Sequence, residues 1–265
     1  MTASSTLPAP PRGLAALANP ARFTALVGKL WPFFAAATVI ALAVGLSLAL
    51  TVPDDYQQGR TVRIMFVHVP AVWMAMGAYM VMVSGALGVL VWRHPLADVA
   101  ARAAAPIGAA FTALGLATGS IWGAPIWGTW WVWDARLTSF LVLLVIYLGL
   151  IALWRSFEEP ARAARMAAVA VLVGAINIPI IKFSVDWFQT LHQPASVARI
   201  GGPAMPAVYL TPLLIMGLAF LLLFLTLHAL AMRNEVMRRQ VRTGQRKAAQ
   251  AARADRPSHP ARLSR

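Results

Sequence analysis

Trp122, Trp127, Trp130, Trp131 and Trp133, five of the ten tryptophans in the chain, fall within twelve residues. Asp134 follows at once and Arg136 two residues later. Tryptophan favours the membrane–water interface, where an anchor or two per helix end is the usual provision. A cluster this dense also suits a shelf for a large planar apolar ligand, whose faces gain dispersion and stacking contacts. Composition leaves platform and interfacial anchor equally open. Two helical turns over 127–134 would project Trp127, Trp130, Trp131 and Asp134 within an arc of about 100°.

Two histidines can act beside such a shelf. His68 and His192 each begin a His-x-Pro pattern, with Pro70 and Pro194 two residues on. Proline is tolerated in the first turn of a helix, so the pattern predicts each histidine at a helix start, facing one membrane surface. Two neutral imidazoles from different segments could ligate a metal or a haem iron axially. The bland alternative is a pair of interfacial histidines bonded to water or backbone; the neighbouring tryptophans favour ligation. Arg136 could grip a ligand carboxylate as a bidentate fork, or simply snorkel at a helix start beside Asp134. Lys182 and Asp186 are spaced i, i+4 after an expected kink at Pro179, and snorkelling accounts for Lys182. Arg60, Arg63 and Arg199 have weaker claims on a ligand. Asn177, polar inside an apolar run, is expected to hydrogen-bond between helices. His94, His228 and His259 map to the opposite side and are not expected to be ligands.

What must position these residues is a membrane-embedded scaffold. Charged residues make up 12% of the 265 residues and hydrophobic ones 59%, against about 25% charged in an average soluble domain. That excludes a soluble enzyme and, equally, a disordered chain. The chain has no cysteine, which removes disulfides, thiolate metal sites and thioether attachment of a cofactor. It also carries no Walker A loop, no His-Glu-x-x-His helix and no Gly-x-Ser-x-Gly elbow. Six apolar runs lie at 31–52, 64–92, 104–121, 138–154, 166–184 and 207–231, close to the roughly 20 residues that a spanning helix needs. The second run is long. Counting back from Trp92 leaves His68 about 7 Å beyond the hydrocarbon boundary.

A net charge of +14 would suit nucleic acid, but its distribution sets topology instead. Eighteen Lys and Arg fall in the termini and the gaps after runs two and four, and five fall in the other gaps. The basic-rich side is predicted to be cytoplasmic. The expected fold is thus an all-α integral membrane bundle of six transmembrane helices with both termini cytoplasmic. Residues 1–30 form a cytoplasmic N-terminal segment, 31–231 the membrane domain with its tryptophan segment at 122–138, and 232–265 a basic cytoplasmic tail that reads as frayed or weakly helical, resting on anionic lipid.

The run from Trp127 to Thr138 resembles the tryptophan-rich "WWD" signature of the haem-handling membrane proteins of cytochrome c maturation. The six spans and the flanking His-x-Pro sites are similar to the CcmC family (haem exporter protein C) within that group, over roughly 31–231. Relatives such as CcmF and CcsA-type synthases usually continue after Trp-Asp with proline and a nearby acidic residue. Ala135, Arg136, Leu137 and Thr138 stand there instead and favour the CcmC branch. The resemblance implies noncovalent, b-type haem binding at the periplasmic face of the bacterial inner membrane. Its axial ligands would be His68 and His192, and Trp122, Trp127, Trp130, Trp131, Trp133, Asp134 and Arg136 would form the rest of the site. It further implies presentation of haem to the chaperone CcmE, with CcmD and the ABC transporter CcmA–CcmB as further partners, and a transfer protein rather than an enzyme. A haem-translocating channel and a bis-histidine membrane redox subunit are the alternatives.

Overall fold

A computed structural model describes residues 19–254 except 95, 194, 195 and 198, and the side chains only as far as residue 251. It contains seven helices: α1 Pro20–Thr51, α2 Met65–Leu90, α3 Ala97–Trp127, α4 Ala135–Arg155, α5 Pro160–Gly174, α6 Asn177–Trp187 and α7 Ala207–Ala254. A 3₁₀ turn, Arg60–Ile64, leads directly into α2. α5 and α6 together make one crossing, so six apolar helical segments are long enough to span a bilayer. In hydrocarbon every backbone polar group must be satisfied within its own segment, which is why the apolar runs form helices.

The starts and stops are written locally. Asn19 caps α1, accepting from the Ala21 N–H at 2.9 Å, and Pro20 occupies the first position. Asp134 caps α4, accepting from the Leu137 N–H at 2.8 Å. Gly128 ends α3 with φ 73°, its N–H bonded to the Ala124 carbonyl at 3.0 Å. These last two signals bracket the tryptophan segment, so 128–134 is extended or bent, and the two helical turns that its spacing allowed do not form. The crossing formed by α5 and α6 breaks at Ala175 and Ile176. Pro179 lies four residues beyond Ala175 and cannot donate to its carbonyl, so the expected kink is present one turn early.

α2 packs most extensively on α3, and α1 on α7. Association within lipid relies on close backbone approach. A Cβ at Gly85 would meet the Ala97 carbonyl at 2.7 Å, and one at Gly88 the Ala97 Cβ at 2.7 Å. Three buried polar side chains in the bundle bond backbone carbonyls of neighbouring helices. Tyr79 and Tyr147 meet edge to face at 5.5 Å and donate to the Val171 and Ala75 carbonyls at 3.0 and 2.7 Å. Asn177 donates to the Ser139 carbonyl at 2.9 Å, the interhelical bond expected of it.

The even number of crossings brings the start of α1 and the end of α7 to one end of the bundle. There Asp98 of α3 accepts from the Trp154 indole at 2.9 Å and from Arg239 of α7 at 2.5 Å. Glu235 collects Arg239 at 2.9 Å, Arg238 at 3.4 Å and Arg102 at 3.5 Å. This network roots α7 where its apolar stretch ends, and the helix continues to Ala254. The tail after Met232, read as frayed or weakly helical, is helical over 232–254. Residues 255–265 and 1–18 lie outside the described part of the chain.

Candidate functional site

The opposite end gathers the start of α2, the end of α3, the start of α4, and the connection after α6. His68 is the fourth residue of α2, with Pro70 the sixth. The preceding 3₁₀ turn extends the helical path, so Pro70 is not in a first turn as its pattern suggested. His192 is not at a helix start either: it sits in the connection between α6 and α7, fifteen residues before Ala207. Pro194 is outside the described residues. The ends of the bundle, rather than capping geometry, bring the two imidazoles together. His68, His192 and Arg136 lie within electrostatic reach of one another.

Each histidine is braced by a tryptophan. Trp122 stands edge-on to His68 at 5.6 Å and 70°, and its indole donates to Gln58 at 3.1 Å, which ties down the connection between α1 and α2. Trp127 stands edge-on to His192 at 4.9 Å and 64°. Asp134, 8% exposed, holds His192 from behind: its Oδ2 lies 3.0 Å from His192 Nδ1. The same oxygen accepts the Thr190 hydroxyl, while the His192 N–H donates to Thr190 at 3.1 Å. Oδ1 is taken by the helix cap. Asp134 thus touches both His192 and the start of α4.

Burial opposes a charge on Asp134, but the bonds from Thr190, Leu137 and His192 outweigh it and hold the carboxyl below its usual range. Burial likewise holds the His192 imidazole below its usual value, against the opposing pull of Asp134. At neutral pH the pair is therefore a carboxylate and a neutral imidazole. Nδ1–H donates to Asp134 and the Nε2 lone pair is left over. A carboxylate behind an imidazole is the arrangement that orients a metal-ligating histidine and raises its basicity.

A pH profile follows. In the unfolded chain His192 takes up its proton as pH falls through about 6.5. The folded site resists protonation until lower pH, so His192 progressively opposes folding across that interval. Asp134 has a depressed folded value, so it stabilises the fold above the ordinary carboxylate range and loses that contribution as pH falls through its folded value. An NMR titration of the His192 ring is expected to give a midpoint below 6.5. A midpoint above it would mean that Asp134 overrides burial.

The remaining tryptophans do not form one shelf. Trp131 and Trp133 meet at 5.4 Å and 77°, and Trp130 and Trp133 are 65% and 75% exposed. The Trp131 indole N–H is buried without an acceptor. The five rings therefore divide: Trp122 and Trp127 face the histidines, Trp130 and Trp133 face outward, and Trp131 lies between with an unused donor. α6 adds a stacked pair at this end, Phe183 and Trp187 at 5.5 Å, which the sequence reading passed over.

Arg136 does not pair with Asp134. Its Nε donates to Ser184 and its terminal nitrogen to the Lys182 carbonyl, both at 3.3 Å, docking α4 on α6. Arg63 pairs with Asp54 at 3.2 Å. At the other end of the bundle, His94 accepts from the Leu96 N–H at 3.2 Å through Nδ1. His228 stacks on Phe224 at 5.3 Å. His259 is outside the described residues. Among the described residues no group of three or more His, Cys, Asp or Glu is placed to cage a metal. Two imidazoles suit an ion that brings most of its own ligands.

A family model described as CcmC, heme exporter protein C, matches residues 13–247. The chain belongs to the CcmC family. Heme exporter protein C of Bradyrhizobium diazoefficiens is 65% identical over 227 residues, which cover 86% of this chain and 86% of that one. Those of Escherichia coli K12 and Paracoccus denitrificans are 47% and 44% identical, covering 83% and 84% of this chain and 89% and 93% of theirs. The CcmC match spans every candidate site residue, from His68 to His192. Thr190, Gln58 and Ser184 were not legible as site residues. Thr190 carried a faint local signal, a threonine two residues before a histidine; the other two had none.

Proposed function

We propose that this CcmC-family protein binds haem noncovalently at the periplasmic face of the bacterial inner membrane and presents it to the haem chaperone CcmE for cytochrome c biogenesis. His68 and His192 are the axial ligands, and Trp122, Trp127, Trp130, Trp131, Trp133, Asp134 and Arg136 form the rest of the site, with Trp122 and Trp127 nearest the two histidines. CcmD and the ABC transporter CcmA–CcmB are the expected partners. Haem is cargo here and the protein acts as a transfer protein, not an enzyme. Residues 1–30 and 232–265 lie on the cytoplasmic side, as the Lys and Arg asymmetry requires.

One observation carries this reading. His192 offers a neutral imidazole with a free Nε2, backed by Asp134 at 3.0 Å, at the same end of the bundle as His68. Haem supplies four nitrogens to its iron and needs two more ligands, which is what two imidazoles provide. The buried, unpartnered Trp131 N–H and the Arg136 guanidinium, whose hydrogen bonds go to the Ser184 hydroxyl and the Lys182 carbonyl, suit the propionates. With no cysteine to form a thioether, the haem stays free to leave.

The test is an absorption spectrum of the purified protein, ferric and dithionite-reduced, beside the His68→Ala/His192→Ala double variant. A Soret band with split reduced α and β bands is expected in the wild type and lost or shifted in the variant. A wild-type protein that neither carries haem nor takes up hemin would overturn the reading and leave the tryptophans as interfacial anchors.

A further inference from the structure

His68 has its ring between fixed neighbours on α3. Its Nδ1 lies 3.1 Å from the Thr118 hydroxyl oxygen, and Trp122 closes on it one turn further along. The Thr118 hydroxyl has one proton, and that proton is committed: it donates to the Leu114 carbonyl at 2.7 Å, with the Gly115 carbonyl at 3.3 Å. This back-bond to the preceding turn is a common state of threonine in apolar helices. An oxygen so engaged can only accept from the imidazole. The Gly115 carbonyl also accepts from this imidazole, so His68 carries its proton on Nδ1, toward Thr118 and the preceding turn of α3, and Nε2 holds the lone pair. Gly119 keeps the space open, since a Cβ there would lie 3.0 Å from His68 Cε1. Neither Thr118 nor Gly119 belongs to the tryptophan segment or to a His-x-Pro pattern.

We propose that Thr118 is a positioning residue for His68: its hydroxyl, aimed by the Leu114 carbonyl and acting beside the Gly115 carbonyl, holds the ring and the tautomer that leaves Nε2 for iron. This rests on the haem reading above. The two ligands then differ in kind. His192 is backed by a carboxylate and is the stronger donor, while His68 is backed by a neutral hydroxyl.

The experiment is a hemin titration of the purified full-length protein, with dithionite-reduced spectra, for wild type, Thr118→Val, Thr118→Ser and His68→Ala. Valine keeps the shape and removes the acceptor. Thr118→Val is expected to bind hemin about ten-fold more weakly, the low end for loss of an outer-shell partner. Its reduced spectrum should move toward that of His68→Ala, and Thr118→Ser should restore both. If Thr118→Val aggregates, Thr118→Ala replaces it. Wild-type binding by the valine variant, with loss in His68→Ala, overturns the proposal and leaves the haem reading intact. A serine variant as weak as valine at the same elution volume also overturns it, because the hydroxyl would not be the working group. Unchanged binding and spectra in His68→Ala would remove His68 as a ligand and sink both.

Discussion

Asp134→Asn is expected to weaken hemin binding roughly 10- to 100-fold, the range for an outer-shell partner of a ligating histidine, while leaving the fold almost unchanged. The two halves of that expectation come from two different oxygens. Oδ1 caps α4 at Leu137, and asparagine caps as well as aspartate, so the cap itself should change by less than about 0.5 kcal/mol and the variant should still fold. Oδ2 faces His192 Nδ1 and the Thr190 hydroxyl. In asparagine an NH₂ occupies that place and donates. His192 must then accept through Nδ1 and carry its proton on Nε2, the nitrogen assigned to iron in the proposed site. The same tautomer logic makes the buried aspartate of a catalytic triad so sensitive to asparagine. Hemin titration beside thermal unfolding checks both halves. Wild-type affinity in Asp134→Asn would reduce the carboxylate to a helix cap.

The largest effect on stability is expected at the other end of the bundle. Asp98→Ala leaves the Trp154 indole N–H without its partner at 2.9 Å and takes one carboxylate from Arg239. A buried donor without an acceptor costs about 1–3 kcal/mol. Breaking a buried ion pair costs about 3–5 kcal/mol, here reduced because Arg239 is partly exposed and keeps Glu235. The sum should be about 2–4 kcal/mol, seen as a drop of several degrees in the midpoint for loss of monodisperse protein on heating. Asp98→Asn keeps an oxygen for Trp154 and should lie between. Because the change is a full bundle length from His68 and His192, the haem spectrum of the surviving protein should match the wild type. An unshifted midpoint in Asp98→Ala would mean that α7 is held by packing alone.

The six spans were legible because the bilayer imposes a length and an apolar composition on any crossing segment, and both are local properties of the chain. The kink near Pro179 was legible for the same kind of reason: a missing N–H acts within one turn. The helical extension past Met232 was legible only as one of two readings, frayed or weakly helical. Its apolar periodicity stops there, and what continues the helix is Arg239 reaching Asp98, 141 residues away in sequence. The tryptophan segment was found, but its shape was open. The spacing of its aromatic residues allowed a helix, whereas Gly128 with φ 73° and the Asp134 cap rule one out.

The sequence by itself determined that the chain has six segments long and apolar enough to cross a membrane, which residue types could hold a planar metal-bearing ligand, and, through the Trp127–Thr138 motif, the family. Tertiary structure alone decided which groups act on which. Asp134 meets His192 across 58 residues, Thr118 meets His68 across 50, and Gln58 meets Trp122 across 64. Length, hydropathy and capping act through near neighbours along the chain, so they can be read in order. The choice of imidazole tautomer depends on a single donor or acceptor about 3 Å away, which only the packing of one helix end against another can supply.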